Sequence, residues 1–163
     1  MIRWSVNSDK EQIENLINLC FGNREIEGAY TNIEGRYLLM FEKDNLIAMT
    51  GIVRNSMLGC NALEISWTCT HPEHRNKGYM TRLFSNLLPC LSEDVYCSCW
   101  RLQHKDRIEL HYIMDLFNFE CVLKEHVKRE YPHKCGVADT CPNFKGNNCY
   151  CSEDLYIHRH RKG

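Results

Sequence analysis

The sequence has no apolar run approaching the ~20 residues that a membrane-spanning helix needs, so no membrane partner is expected. It also has almost no net charge, −1 at pH 7. A chain this close to neutral sets up no broad field toward polyanions, which argues against nucleic acid as a partner. Met1-Ile2-Arg3-Trp4-Ser5 lacks the continuous apolar core of a signal peptide. A cytoplasmic location with reduced thiols is therefore the expectation. No internal repeat is visible, and the basic tail His158-Arg159-His160-Arg161-Lys162 reads as a solvated end.

What is present is the material of one domain. A chain of 163 residues buries roughly two thirds of the surface its unfolded form exposes, enough for one ordinary core. A single domain over 1–163 is expected. Its 11 cysteines are many for this length. Cys20, Cys60, Cys69, Cys90, Cys97, Cys99 and Cys121 lie in or beside apolar segments and read as small buried hydrophobes. The other four bunch near the C-terminus, within a loop at about 131–153 that has no periodicity.

Residues 2–6 read as a short strand. Ser8 and Glu11 are placed to form a capping box before a helix whose Ile13, Leu16, Ile17 and Cys20 recur at helical spacing, with Gly22 as its stop. Residues 23–35 are polar, with Glu25, Glu27 and Glu34 among them, and read as a second short helix or a loop. Residues 36–41 and 46–53 are two apolar strands around Lys43-Asp44-Asn45, the pattern of an antiparallel hairpin with a tight turn. Residues 63–70 form a third strand.

After the turn at 72–78 comes the best helix of the chain, its buried face drawn by Met80, Leu83, Phe84, Leu87, Leu88 and Leu91. Residues 95–100 return as a strand, 106–117 are predicted helical, 119–127 are a strand, and 155–158 complete the set. The alternation predicts an α/β fold of α+β type, a single mixed sheet with helices on both faces.

The turn Thr70-His71-Pro72-Glu73-His74-Arg75-Asn76-Lys77-Gly78-Tyr79-Met80-Thr81 joins strand to helix. A helix N-terminus leaves backbone N–H groups unpaired and carries partial positive charge, so a phosphate placed there accepts several hydrogen bonds at once. Arg75 and Lys77 add charge, and Gly78 lets backbone approach the anion closely. An ordinary β-to-α connection is the alternative reading of these residues taken bare.

In its setting the stretch resembles motif A of the GNAT acetyltransferase superfamily, whose pattern is Arg or Gln, two residues, Gly, one residue, then Gly or Ala. Arg75-Asn76-Lys77-Gly78 fits, preceded by Pro72-Glu73, and Met80 stands where the family has Gly or Ala. The element order from 2 to 127 follows the family as well. The resemblance implies a mostly antiparallel, twisted GNAT sheet with a V-shaped splay between its two central strands. It implies acetyl-CoA as cosubstrate, held at Cys69, Thr70, Arg75, Asn76, Lys77, Gly78, Tyr79, Met80 and Thr81. A small-molecule or peptide amine is implied as acceptor.

Acetyl transfer to a primary amine by direct attack in a ternary complex needs a base and a place for the tetrahedral oxyanion. Glu64 lies six residues before Thr70 on the same strand, the offset of the catalytic glutamate in the histone-acetylating branch that this region resembles. Strict alternation would put Glu64, Ser66, Thr68 and Thr70 on one face, and apolar neighbours would raise a carboxylate's pKa toward neutrality. Water as base, with Glu64 facing solvent, is the alternative. Backbone N–H groups of 69–71 are candidate oxyanion donors. The general-acid tyrosine found in many family members falls here on Met114, with Tyr112 turned about 200° away and His111 on the Met114 side.

Cys135, Cys141, Cys149 and Cys151 are the ligand set of a closed structural zinc site, although gaps of five, seven and one residue depart from the usual spacing. Free thiols or disulfides are the alternatives. A non-catalytic acyl-CoA sensor and a zinc-stabilised interaction module are the alternatives to the enzyme.

Overall fold

A computed structural model describes residues 1–21, 34–55, 61–102, 107–128 and 152–160. The order of its elements is the alternating one expected, and the fold is α/β. Its contacts group into two compact units, Met1–Val53 with Ile65–Leu91, and Arg54–Glu64 with Ser92–Gly163. None of the described helices is long and apolar enough to cross a membrane.

The strands β1 (Ile2–Trp4), β2 (Tyr37–Glu42), β3 (Asn45–Asn55) and β4 (Ala62–Thr70) follow one another in sequence order in the sheet, and β1, β2, β3 as far as Val53 and β4 from Ile65 belong to the first unit. Strand β2 pairs antiparallel with β1 (Arg3 opposite Leu39) and with β3 (Leu39 opposite Met49). Residues Tyr37 to Phe41 of β2 are all buried, which explains why the strand reads as a continuous apolar run rather than an alternating one. The hairpin turns on Lys43-Asp44 as expected, with Lys43 at φ +55.

Helix α1 (Lys10–Phe21) buries Ile13, Leu16 and Ile17 against Tyr37, Leu39, Phe41, Leu46, Met49 and Cys69. Each such side chain contributes about 1.5–3 kcal/mol by leaving water. Its start departs from the capping box expected of Ser8 and Glu11. The chain first makes a 3-10 turn, Asn7–Asp9, and Asp9 is the residue that reaches back, accepting Val6 N–H at 2.8 Å. The Asp9 carboxylate also accepts from the two terminal guanidinium nitrogens of Arg3 at 2.7 Å, a pairing across the strand-to-helix junction that helical spacing does not reveal.

Helix α2 (Tyr79–Leu87) buries Leu83, Phe84 and Leu87. It stops short of the expected Leu91. Pro89 lacks an N–H and its ring opposes a further α-turn, so the chain closes as a 3-10 turn, Leu88–Cys90.

In the second unit β8 (Ser152–His158) lies between β5 (Val95–Leu102) and β7 (Glu120–Lys128), antiparallel to both. It is longer than the expected 155–158. Its polar first half hides a buried position: Asp154, fully enclosed, binds Arg101 of β5 through two hydrogen bonds and accepts Glu125 N–H of β7 at 2.9 Å. The helix expected over 106–117 divides. Arg107–Ile108 is a short strand, β6, paired with Arg101 and Leu102, and only His111–Leu116 is helical, as α3. The expectations for 23–33 and for the cysteine-rich loop fall on residues outside the described ones.

Candidate functional site

The end of β4, the turn after it and the start of α2 all belong to the first unit, and the turn is held from several sides. His71 N–H donates to Ile47 O of β3 at 2.8 Å, tying the turn to the neighbouring strand. Pro72 opens a 3-10 turn, Pro72–His74, and the His71 ring accepts Glu73 N–H at 3.3 Å. The rings of His71 and His74 meet edge to face at 5.4 Å, and His74 lies 6.2 Å from Tyr79. Arg75 Nε donates to Thr70 O at 3.3 Å, closing the turn across its base.

Two residues here take left-handed backbone, Asn76 at φ +61 and Gly78 at φ +75. Asparagine and glycine tolerate that region best, which is the local reason the turn has this composition. Gly78 is the N-cap of α2, and a Cβ built on it would meet nothing within 4 Å. The space before the backbone is open. The first rung of the helix runs from Arg82 N–H to Gly78 O at 3.1 Å. The N–H groups of Tyr79, Met80 and Thr81 therefore have no acceptor within the helix and stand at its positive end.

Arg75, Asn76, Lys77 and Arg82 are exposed around them, and the first turn of α2 carries no acidic residue. Such an arrangement of free N–H groups and cations is one that suits an anion. Met80, in the family's small-residue position, is half-buried and lies outside the buried core.

Strand β4 supplies the other candidates. Glu64 and Ser66 are half-buried, and the Ser66 hydroxyl oxygen is buried with no hydrogen-bond partner among the described residues. Thr68 Oγ1 lies 2.9 Å from Thr50 Oγ1. Trp67 has φ +49, a strained value for an aromatic residue and of the kind that gathers at functional sites. It interrupts the strand's period of two, and the buried positions Ala62, Ile65 and Cys69 are spaced by three and then four. The face of Glu64 therefore no longer follows from that of Thr68 and Thr70 by counting.

His71 N–H, one of the three proposed oxyanion donors, is taken by Ile47 O. In α3, Met114 is fully buried and Tyr112 is 62% exposed, pointing apart as the helical angle requires. Cys135, Cys141, Cys149 and Cys151 are outside the described residues. Among the described residues, no group of three or more His, Cys, Asp or Glu side chains is placed to hold a metal ion.

One participant was missed. Cys20, read as a buried hydrophobe of α1, is half-buried and places its Sγ 3.5 Å from Thr70 O, beside Arg75. No sequence pattern links residues 50 apart, so only the packing of α1 on β4 reveals it.

The family profile described as Acetyltransferase (GNAT) domain matches residues 2–97. The chain belongs to the GNAT acetyltransferase family, and it is an acyltransferase of that type. Solved structures with the same fold include a GNAT-family acetyltransferase from Bacillus cereus, with TM-score 0.68, 13% identity, and 99% of this chain and 98% of that one covered. An aminoglycoside 6'-N-acetyltransferase complexed with coenzyme A has TM-score 0.67 and 12% identity, with 98% and 96% covered. The N-acetylglutamate synthase of Neisseria gonorrhoeae, complexed with coenzyme A and N-acetyl-glutamate, has TM-score 0.61 and 15% identity; it is matched over 99% of this chain and 35% of its own. No curated protein sequence matches the chain significantly.

Proposed function

We propose that this chain moves the acetyl group of acetyl-CoA to a primary amine by direct attack in a ternary complex. The observation that carries the reading is the turn before α2: open space over Gly78, unpaired N–H groups on Tyr79, Met80 and Thr81, and exposed Arg75 and Lys77. These suit the pyrophosphate of acetyl-CoA, whose oxygens accept from backbone N–H groups while the cations offset its charge. Two of the structural neighbours were solved with coenzyme A bound, which supports the same cosubstrate here. Glu64 is the residue we assign as base, directly or through a water. The acceptor is a small molecule or a peptide carrying an amine; one neighbour is named for an aminoglycoside and another was solved with an acetylated amino acid.

The test is calorimetry with acetyl-CoA on the parent chain and on Gly78→Asp. The new carboxylate would project into the open space and meet the pyrophosphate with like charge. Micromolar binding by the parent and a loss of about 1.4 kcal/mol or more, tenfold in affinity, are expected. Equal affinities in two folded proteins remove the site assignment.

A second reading, acyl-CoA binding without catalysis, is favoured by one observation: buried Met114 occupies the place of the family's general-acid tyrosine. Release of free CoA that depends on an added amine separates the two. Initial rates with both substrates varied, giving intersecting rather than parallel reciprocal plots, establish the ternary complex.

A further inference from the structure

The turn between β4 and α2 is held at its head by one residue. His71 makes three hydrogen bonds there. Its N–H donates to Ile47 O of β3 at 2.8 Å, and its carbonyl accepts His74 N–H at 2.8 Å. Any residue could supply those two. The third needs this side chain: His71 Nδ1 accepts the Glu73 N–H at 3.3 Å, which makes the ring the N-cap of the 3-10 turn Pro72–His74. Pro72 has no N–H, so that of Glu73 is the first one the turn must satisfy.

The usual N-caps are Ser, Thr, Asp and Asn, whose oxygens accept throughout the neutral range. An imidazole nitrogen accepts only while it carries no proton. A backbone N–H can only donate, so the contact fixes His71 as the neutral ring with its proton on Nε2. Histidine is also the side chain that changes charge between about pH 5 and 8. A proton on Nδ1 would set donor against donor and open the cap.

The charged and titratable groups around the ring come from the turn and from its neighbours in the first unit. On the turn are Glu73, Arg75 and Lys77, all exposed, and His74, whose ring meets that of His71 edge to face at 5.4 Å. From β2, Glu42 places Oε2 3.5 Å from His74 Nδ1, and from α2 the Tyr79 ring lies 6.2 Å from His74. From α1, the Cys20 thiol reaches the adjoining Thr70 carbonyl. The two histidines respond to acid in opposite senses. A charged His74 gains the Glu42 carboxylate, whereas a charged His71 loses the Glu73 N–H.

We propose that neutral His71 is a positioning residue for this turn, and that its protonation weakens acyl-CoA binding. The second clause rests on the functional reading above. Arg75, Asn76 and Gly78 follow the capped turn directly. Arg75 closes it on Thr70 O at 3.3 Å, and Asn76 and Gly78 hold left-handed backbone at φ +61 and φ +75. With the cap open, the cations lose a restraint that sets them before the free N–H groups of Tyr79, Met80 and Thr81. The capped form is present above the titration of the ring and is lost as pH falls through it.

The experiment compares the parent with His71→Asn and His71→Ala, thermal midpoints being checked at each pH. Asn keeps an acceptor at the N-cap and does not titrate. The phosphates of acyl-CoA and the His74 ring are common to parent and His71→Asn, so the difference between those two proteins reports on His71. Calorimetry at about pH 8, the upper end of the histidine range, should give them the same acyl-CoA affinity. His71→Ala should bind about three- to tenfold more weakly there, the worth of one hydrogen bond. On acidification to about pH 5 the parent should lose a similar factor beyond any loss in His71→Asn. In the ligand-free parent, the NMR shift of the Glu73 amide should follow protonation of the His71 ring.

Parallel losses in parent and His71→Asn, or full affinity in His71→Ala at about pH 8, overturn the proposal. So does a parent affinity that rises relative to His71→Asn as pH falls, the sign expected if the imidazolium merely added a cation for the pyrophosphate. A Glu73 amide that stays still while the His71 ring titrates removes the cap itself. A parent that binds no acyl-CoA at either pH overturns the functional reading and the clause resting on it, and the Glu73 amide still decides the cap.

Discussion

Glu64 and Gly78 test opposite ends of the same stretch of chain. Gly78 has φ +75 and open space where a side chain would be, so any part it plays is through its backbone. Glu64 offers a carboxylate on a strand that Trp67, at φ +49, has thrown out of regular alternation. If Glu64 is the base, Glu64→Gln keeps the shape and removes the proton acceptor. Turnover is expected to fall by about 10²–10⁴ while KM for acetyl-CoA stays the same, and the acidic limb of the pH–rate profile should flatten. Equal kcat values in the two proteins would take Glu64 out of the mechanism. The type and offset of Glu64 were legible in the sequence. The break in its strand was not, because a left-handed tryptophan has no compositional signature.

Helix α1 shows how an element depends on one residue outside its own periodicity. Ile13, Leu16 and Ile17 announce the helix by spacing, and all three are buried. Its entry is set by Asp9, which is 4% exposed, accepts Val6 N–H and pairs with Arg3, whose guanidinium also lies 4.6 Å over the Phe41 ring. The Arg3 hydrogen bond, with the Val6 N–H and the Arg3 charge, outweighs burial and holds the Asp9 carboxyl below its ordinary range. A lowered carboxyl pKa stabilises the fold at pH values above the unfolded pKa, near 3.9. That contribution disappears as pH falls through the folded value. Asp9→Asn should therefore cost about 1–3 kcal/mol at neutral pH, the worth of charged hydrogen bonds lost at a buried acceptor. Denaturant titrations of parent and variant should converge as pH falls through the lowered folded value of Asp9. A constant difference down to pH 2 would show that the charge is not what stabilises the helix start.

At the scale of the whole molecule, ligand binding and stability are one measurement. Acetyl-CoA that binds the folded chain and not the unfolded one adds about 2.7 kcal/mol at a hundred times its dissociation constant. For a chain of 163 residues that raises the thermal midpoint by about 5–10 °C. Gly78→Asp should show at most about half that rise at the same concentration. A midpoint that does not move in the parent at saturating acetyl-CoA would remove the cosubstrate from the reading. The same scan run with a panel of amines in the presence of CoA ranks acceptors, since the acceptor's identity is carried by no motif in the chain.

Local chemistry was within reach of the sequence alone. The apolar periodicities placed the first helix, the hairpin and the strands, and the basic turn with Gly78 before an apolar helix marked out the turn proposed for the pyrophosphate, because each depends on neighbours within a few positions. Tertiary structure decided what depends on residues far apart in the chain. Asp154 falls outside the expected strand at 155–158, and it is Arg101, 53 positions away, that compensates its charge in the interior. His71 N–H reads as a free oxyanion donor until Ile47 takes it. Cys20 reads as a filler of α1 until packing sets it beside the Thr70 carbonyl that Arg75 also binds. Periodicity records which face of an element is apolar; it does not record which hydrogen bond or charge that face will meet, because the partner is chosen by the packing of segments that share no local pattern.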